Sequence, residues 1–210
     1  RRFTPAVDDL ALPRAWAITA QVEHQVRPGF DTQAGITVRR SNRIATLDVS
    51  PDGGPLTVSS SGRSSYHEYQ VSARKLWGAD QQLFISYVRA SGRGELNDFT
   101  ALFQGFDAPL LQPGGQARLS TDARHRWLAW GTFNAPFKII LSPVLEIRSG
   151  FRYSALTERY TYAGEPNGRA YPTFMALDLI ISRRFEALGH AADLGIQLFN
   201  STNHTNPRDV

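Results

Sequence analysis

Apolar and polar residues alternate along most of this chain with a period of two. In "WAITAQVEHQV", Trp16, Ile18, Ala20 and Val22 fall on one side and Thr19, Gln21, Glu23 and Gln25 on the other. That is the signature of a β-strand with two different faces. "RPGF" follows as a turn signal, and "DTQAGITVRR" then sets Thr32, Ala34, Ile36 and Val38 against Asp31, Gln33, Thr37 and Arg39. The two segments read as an antiparallel hairpin. The scheme recurs: "HEYQVSARKLW" returns through "GADQ" as "QLFISYVRA", "RWLAWGTFN" through "APFK" as "IILSPVLEIRSG", and "FMALDLIISRRF" through "EALGHA" as "ADLGIQLFN". The pattern predicts eight strands in four hairpins, and no 3.6-residue periodicity runs long enough to predict a helix. Pro143 lacks an N–H to donate to a ladder and is expected to mark a bulge.

The connections sharpen this reading. Turns within hairpins are short, whereas the links Ser41 to Tyr66, Ser91 to His125 and Gly150 to Thr173 are long and rich in Gly, Pro, Ser, Asn and Arg. Short turns at one end and long loops at the other predict an all-β, antiparallel, up-and-down transmembrane β-barrel wall with short periplasmic turns and long extracellular loops. Strand lengths agree, because a tilted membrane strand needs about 9–11 residues. An aromatic stands beside each short turn, at Phe30, Trp77, Phe137 and Phe185, which suits a girdle at head-group depth. Alternation then predicts that Ile18, Ala34, Val71, Leu179 and Ile196 face lipid. Gln21, Glu23, Gln33, Arg39, Glu68, Gln70, Arg74, Glu146, Arg148 and Asp178 are candidates to face a wet or plugged lumen. Periodicity alone fits a soluble sandwich equally well; the loop asymmetry and strand lengths favour the membrane.

Composition narrows the chemistry. The chain has 210 residues, no cysteine and a net charge of +4 carried almost wholly by arginine, so disulfides, thiolate metal sites and cysteine nucleophiles are excluded. No apolar run is long enough for a transmembrane helix, and no signal-peptide h-region follows Arg1. The arginines are scattered, which points to solvated or lumen-facing side chains and not to nucleic acid. Histidines 24, 67, 125, 190 and 204 are dispersed and lack metal spacing. "SGRGEL" lacks the later glycine and lysine of a phosphate loop, and no elbow motif constrains a Ser-His-Asp set. "DVSPDGG" reads as a turn, with too few spaced carboxylates for a calcium loop. The chain is therefore read as non-enzymatic and without cofactor. Arg124, His125 and Arg126 are read as a basic strand end near anionic lipopolysaccharide.

Three stretches carry a family resemblance. "DARHRWLAWGTFNAPFKIILSPVLEIRSGFRYS", "GEPNGRAYPTFMALDLIISRRF" and "LFNSTNHTNPRDV" resemble the late barrel of TonB-dependent outer-membrane receptors. The branch is the one with an N-terminal carboxypeptidase-regulatory-like domain, abundant in soil bacteria such as acidobacteria. The likeness runs from about His67 to Val210 and departs from the pattern at Arg152, where the family commonly has proline. It implies that residues 1–210 are part of one β-barrel domain, with plug, TonB box and closing strands lying elsewhere. It also implies an outer-membrane location, lipid and lipopolysaccharide as surroundings, the TonB complex as a partner through the plug, and uptake of a small-molecule, glycan or peptide ligand. The expected ligand-contacting loops are "DFTALFQGF", with Phe99, Phe103 and Phe106, and "ERYTYAGEPNGRAY", with Arg159, Tyr160, Tyr162, Arg169 and Tyr171. A complete small eight-stranded barrel and a soluble carbohydrate-binding sandwich are the alternatives.

Overall fold

The computed structural model describes residues 3–5, 10–48, 56–78, 80–97, 110–111, 115–187 and 190–207. The chain forms an antiparallel sheet whose long strands follow one another in sequence order: β2 (Arg14–Arg27), β3 (Phe30–Asp48), β4 (Leu56–Trp77), β5 (Gln81–Glu95), β7 (His125–Ala135), β8 (Ile139–Arg148), β11 (Phe174–Ala187) and β12 (His190–Leu198). Short strands β1 (Phe3–Pro5) and β6 (Gln116–Arg118) pair with β4 and β5, and β9 (Arg152–Tyr153) pairs with β10 (Arg169–Ala170). Among the described residues the sheet is open: β2 and β12 are its edges.

The ladder registers fix which side chains share a face. One row runs Val22–Ala34–Val71–Tyr87–Trp127–Ile147–Met175 across seven strands. Directly paired residues point to the same side, so this apolar row defines one face of the sheet, termed outward below. Ile18, Leu179 and Ile196 share it. Cross-strand rings pin the register on both faces: Tyr87 and Trp127 lie 4.5 Å apart on the outward one, Phe84 and Trp130 5.5 Å apart on the other.

The short turns step away from that row across the sheet. β2 continues five residues beyond it, from Val22 to Arg27, the slip between Gln25 and Arg27 included. β4 continues six, from Val71 to Trp77; β7 eight, from Trp127 to Ala135; and β11 twelve, from Met175 to Ala187. The line of turns is thus slanted against the hydrogen-bonding direction.

Three expectations need correction. The link Ser41 to Tyr66 is mostly strand: β3 and β4 stay paired to Asp48↔Thr57. Its Ser- and Thr-rich composition conceals a ladder in which Thr46 Oγ1 bonds the hydroxyls of Ser59 and Ser61 at 3.2 and 2.9 Å. The register shifts on either side of Ile44, where Arg43 takes a positive φ of 59° in the manner of a bulge. A side chain on Gly62 would meet Thr46 Cγ2 at 2.5 Å, so that close approach requires glycine. The links Ser91 to His125 and Gly150 to Thr173 likewise hold the end of β5 with β6, and β9 with β10. Finally, Pro143 makes no bulge. It pairs with Leu179 on β11, and the β7–β8 ladder skips from Trp130↔Val144 to Phe133↔Leu141 without changing register.

Buried apolar side chains gather in the extension beyond the wall. Leu47 is 0% exposed and packs with Val58 against Leu111; Leu56 and Ala117 are also buried. The wall strands, by contrast, leave Ile18, Val22, Val71, Leu194 and Ile196 more than half exposed.

Candidate functional site: the polar face and its clefts

The second face of the sheet carries the polar set. Rows Gln21–Gly35–Gln70–Val88–Arg126–Arg148–Phe174 and Glu23–Gln33–Ser72–Ser86–Leu128–Glu146–Ala176 cross it, and Arg39, Glu68, Arg74 and Asp178 lie on the same side. The registers therefore bring every candidate lumen residue to one face. Hydrogen bonds link neighbours across it: Gln33 Nε2 donates to Gln21 Oε1 at 3.1 Å, Ser72 to Gln33 at 3.4 Å, and Arg74 to Gln82 at 3.0 Å. Arg126 Nε donates to Glu146 Oε1 at 3.1 Å, with Arg148 Nε 3.6 Å from the same oxygen. Arg184 clasps Asp193 through two bonds of 2.9 and 3.1 Å.

Among the described residues, two clefts open on this face toward the long-loop end. The first, of about 500 Å³, is lined by Tyr66, Glu68, Gln70, Arg126 and Asp122. The Tyr66 hydroxyl donates to Glu68 Oε2. The Leu119–Ala123 segment roofs the cleft, held by Gly92 N–H donating to Asp122 Oδ1 at 3.1 Å and by Ala90 N–H donating to the Arg124 carbonyl at 3.0 Å. Asp122 is 5% exposed, and its Oδ2 has no partner among the described residues.

The second cleft, of about 750 Å³, is lined by Arg148, Phe151, Tyr171, Phe174, Asp178 and Asn200 among others. The Arg148 guanidinium lies 4.2 Å from the ring centroids of both Phe151 and Phe174, a cation–π clamp that fixes its plane. One wall is the turn after β12. Asn200 N–H donates to Asp178 Oδ1 at 2.8 Å, Ser201 N–H to the Leu177 carbonyl at 2.7 Å, and Asn200 and Asn203 take positive φ of 45° and 51°. The Asn206 amide then stands in for a strand: Met175 N–H donates to its Oδ1 at 3.0 Å, and its Nδ2 donates to the Met175 carbonyl at 2.9 Å. The Asn- and Thr-rich run after the last strand thus continues the β11 edge through a side chain.

Of the expected ligand loops, Phe99, Phe103 and Phe106 lie outside the described residues. Tyr171 lines the second cleft and packs on Tyr153 at 4.8 Å. Arg159 and Tyr160 are exposed on a turn, Arg169 pairs with Tyr153, and Tyr162 bridges Leu156. Burial pushes the Tyr162 hydroxyl's pKa up. Arg169 and Tyr171 thus meet at Tyr153. The loop is latched to its neighbour: Asn167 Nδ2 donates to the Arg118 carbonyl at 2.7 Å and Arg152 N–H to the Ser120 carbonyl at 3.0 Å. Arg124–His125–Arg126 also divides. Arg126 joins Glu146 on the polar face, while His125 turns outward, with Nδ1 2.7 Å from the Tyr87 hydroxyl.

Of the aromatics beside the short turns, Phe30, Trp77 and Phe185 share the outward face by register, and Phe137 occupies its turn at 80% exposure. The registers also show a second set that the alternation did not single out. Trp16, Tyr69 and Trp127 stand outward toward the long-loop end, with Tyr87 lower on the same face beside Val71. Among the described residues no cluster of His, Asp or Glu has metal-binding geometry. Compared with known proteins, the chain matches no family model, no curated protein and no solved structure.

Proposed function

We propose that this chain is wall and rim of an outer-membrane β-barrel of the TonB-dependent receptor kind, serving uptake of an external ligand. The observation that carries the reading is the outward face: a predominantly apolar belt between two sets of aromatics, left bare by the other described residues. Soluble monomers rarely expose a contiguous apolar patch larger than a few hundred Å², whereas a bilayer requires one. The slanted line of turns supports it independently. The seven-residue drift from β2 to β11, over six strand-to-strand steps, is about 1.2 residues per strand. At roughly 3.3 Å per residue and roughly 4.8 Å between strands, turns lying in one plane set a strand tilt of about 40°. Barrels that span membranes tilt their strands by about 35–45°.

On this reading the polar face lines the lumen and the open edges β2 and β12 continue into further strands, because unpaired backbone groups are not tolerated in hydrocarbon. Ligand capture falls to the long-loop end, where the clamped Arg148 and the Tyr171 ring offer anion-binding and stacking groups. The test is fractionation of the full-length protein that carries this chain from a bacterial host, followed by electrophoresis with and without boiling. Recovery in the outer membrane with a heat-dependent shift in migration is expected. A monodisperse species in the soluble fraction without detergent would sink the proposal.

A further inference from the structure

The charges of this chain are sorted by face, and the sorting points to a lipid partner. Above the apolar belt, one outward row holds Arg14, Asn42 and Arg63, and the next holds Trp16, Arg40, Ser65, Arg93 and Arg118. Below them, Arg89 lies in register with Tyr69 and His125. At the long-loop end six arginines thus share the face of Val71. Five of them are exposed and Arg118 is partly so. Glu23, Asp31, Glu68, Glu146, Asp178 and Asp193 all lie on the opposite face. The first outward carboxylate on β5 is Glu95, two residues beyond Arg93, and it accepts from the backbone N–H groups of Asn97 and Leu96. The ion pairs use Arg126, Arg148 and Arg184, so among the described residues none of the six has an ion-pair partner.

A water-facing surface normally intersperses both signs. A one-sign row directly above an apolar belt needs another cause. We infer that this rim binds the phosphate groups of an anionic glycolipid whose acyl chains lie on the belt below, an inference that rests on the membrane reading above. The guanidinium fork matches phosphate oxygens two at a time. Measured from the short turns, Arg14 stands thirteen residues up β2, Arg40 ten up β3 and Arg93 twelve up β5, so the rim keeps one level to within about three residues, and Arg89 lies lower, eight residues up β5. Trp16 sits at the junction, with Arg40 5.9 Å from its ring. A free phosphate would use only the arginines; an acylated, phosphorylated sugar uses rim and belt together.

The experiment uses the full-length protein in detergent, with bisphosphorylated lipid A, its dephosphorylated form and inorganic phosphate as probes, and binding read by tryptophan fluorescence. Heat-dependent migration checks folding of each variant. The triple variant Arg40→Gln, Arg89→Gln, Arg93→Gln is set against Arg39→Gln, Arg74→Gln, whose positions lie on the polar face. At about five-fold per arginine, the triple variant should lose on the order of 100-fold in lipid A affinity, and the polar-face pair should lose little. Wild-type binding should weaken as salt rises and fall sharply on dephosphorylation. Equal losses in the two variants, indifference to dephosphorylation, or full competition by inorganic phosphate at the same concentration would overturn the inference while leaving a folded barrel intact. If wild type shows no heat-dependent migration and no bilayer insertion, the membrane reading fails and this one with it. If the triple variant does not fold, the salt and dephosphorylation series on wild type decide alone.

Discussion

Val71→Arg and Gln70→Arg change adjacent residues to the same side chain, yet opposite outcomes are expected. Val71 lies on the outward face at 56% exposure, and Gln70 lies in the first cleft on the other face. Tilted at about 40°, each residue advances roughly 2.5 Å along the membrane normal. His67 to Trp77, ten residues, then spans about 25 Å, the height of an outer-membrane apolar band. Val71 falls about 10 Å below the His67 level and about 15 Å above the turn, close to mid-bilayer. Arginine there should cost about 2–4 kcal/mol, while arginine at Gln70 should cost less than about 1 kcal/mol, because the head stays in a wet cleft. If the outward face met water, a substitution at so exposed a position would stay within about 0.5 kcal/mol. The assay is urea-dependent unfolding of the full-length protein from phospholipid vesicles, followed by tryptophan fluorescence. Equal midpoints for the two variants would refute the facing assignment, and a neutral Val71→Arg would refute the membrane.

Other outcomes follow from local geometry. Gly131→Ala would place a Cβ 2.6 Å from the Gln82 carbonyl and 2.7 Å from the Phe133 ring, whereas at Gly35 it would meet only ordinary 3.6 Å contacts. Unfolding midpoints should show the first losing about 1–3 kcal/mol and the second neutral or gaining up to about 1 kcal/mol. Asn206→Ala removes both bonds to the Met175 backbone, which should weaken that edge by about 1–2 kcal/mol, read as faster hydrogen exchange at Met175. Burial, with the nearby Asp48 charge, holds the Glu95 pKa above the ordinary carboxyl value despite opposing backbone hydrogen bonds. A carboxyl raised on folding favours the folded form when protonated. The protection of the β5–β6 amides, taken relative to the intrinsic exchange rate at each pH, should therefore rise as pH falls from neutral through the raised pKa, and Glu95→Gln should abolish that rise.

The eight strands were legible because alternation and turn residues are local signals: Gln21 and Val22 announce two faces within one segment, and "RPGF" announces the turn. Registers join residues far apart in sequence, and there the chain said less. The paired extension of β3 and β4 was hidden because Ser59, Ser61 and Thr46 read as loop residues until they meet across the ladder. The three-residue β6 has no period of its own and depends on Arg93 and Glu95. The second cleft escaped notice because its clamp joins Phe151 and Phe174, on either side of a long link, to Arg148. The arginine rim was invisible for the same reason. Arg40 and Arg89 do not stand out in sequence, and only the ladder shows that they share a face free, among the described residues, of carboxylates up to Glu95.

The chain contributes no cysteine, which makes single-cysteine labelling along β4 from His67 to Trp77 the most direct test of the alternation between lipid and water. In the full-length protein inserted into vesicles, a fluorophore at Tyr69, Val71 or Ala73 should be quenched by a lipid-soluble quencher and shielded from a water-soluble one. A fluorophore at Glu68, Gln70 or Arg74 should show the reverse. A period-two oscillation of this phase is the predicted result. Uniform quenching from water at all six positions, or an oscillation of opposite phase, would contradict the account.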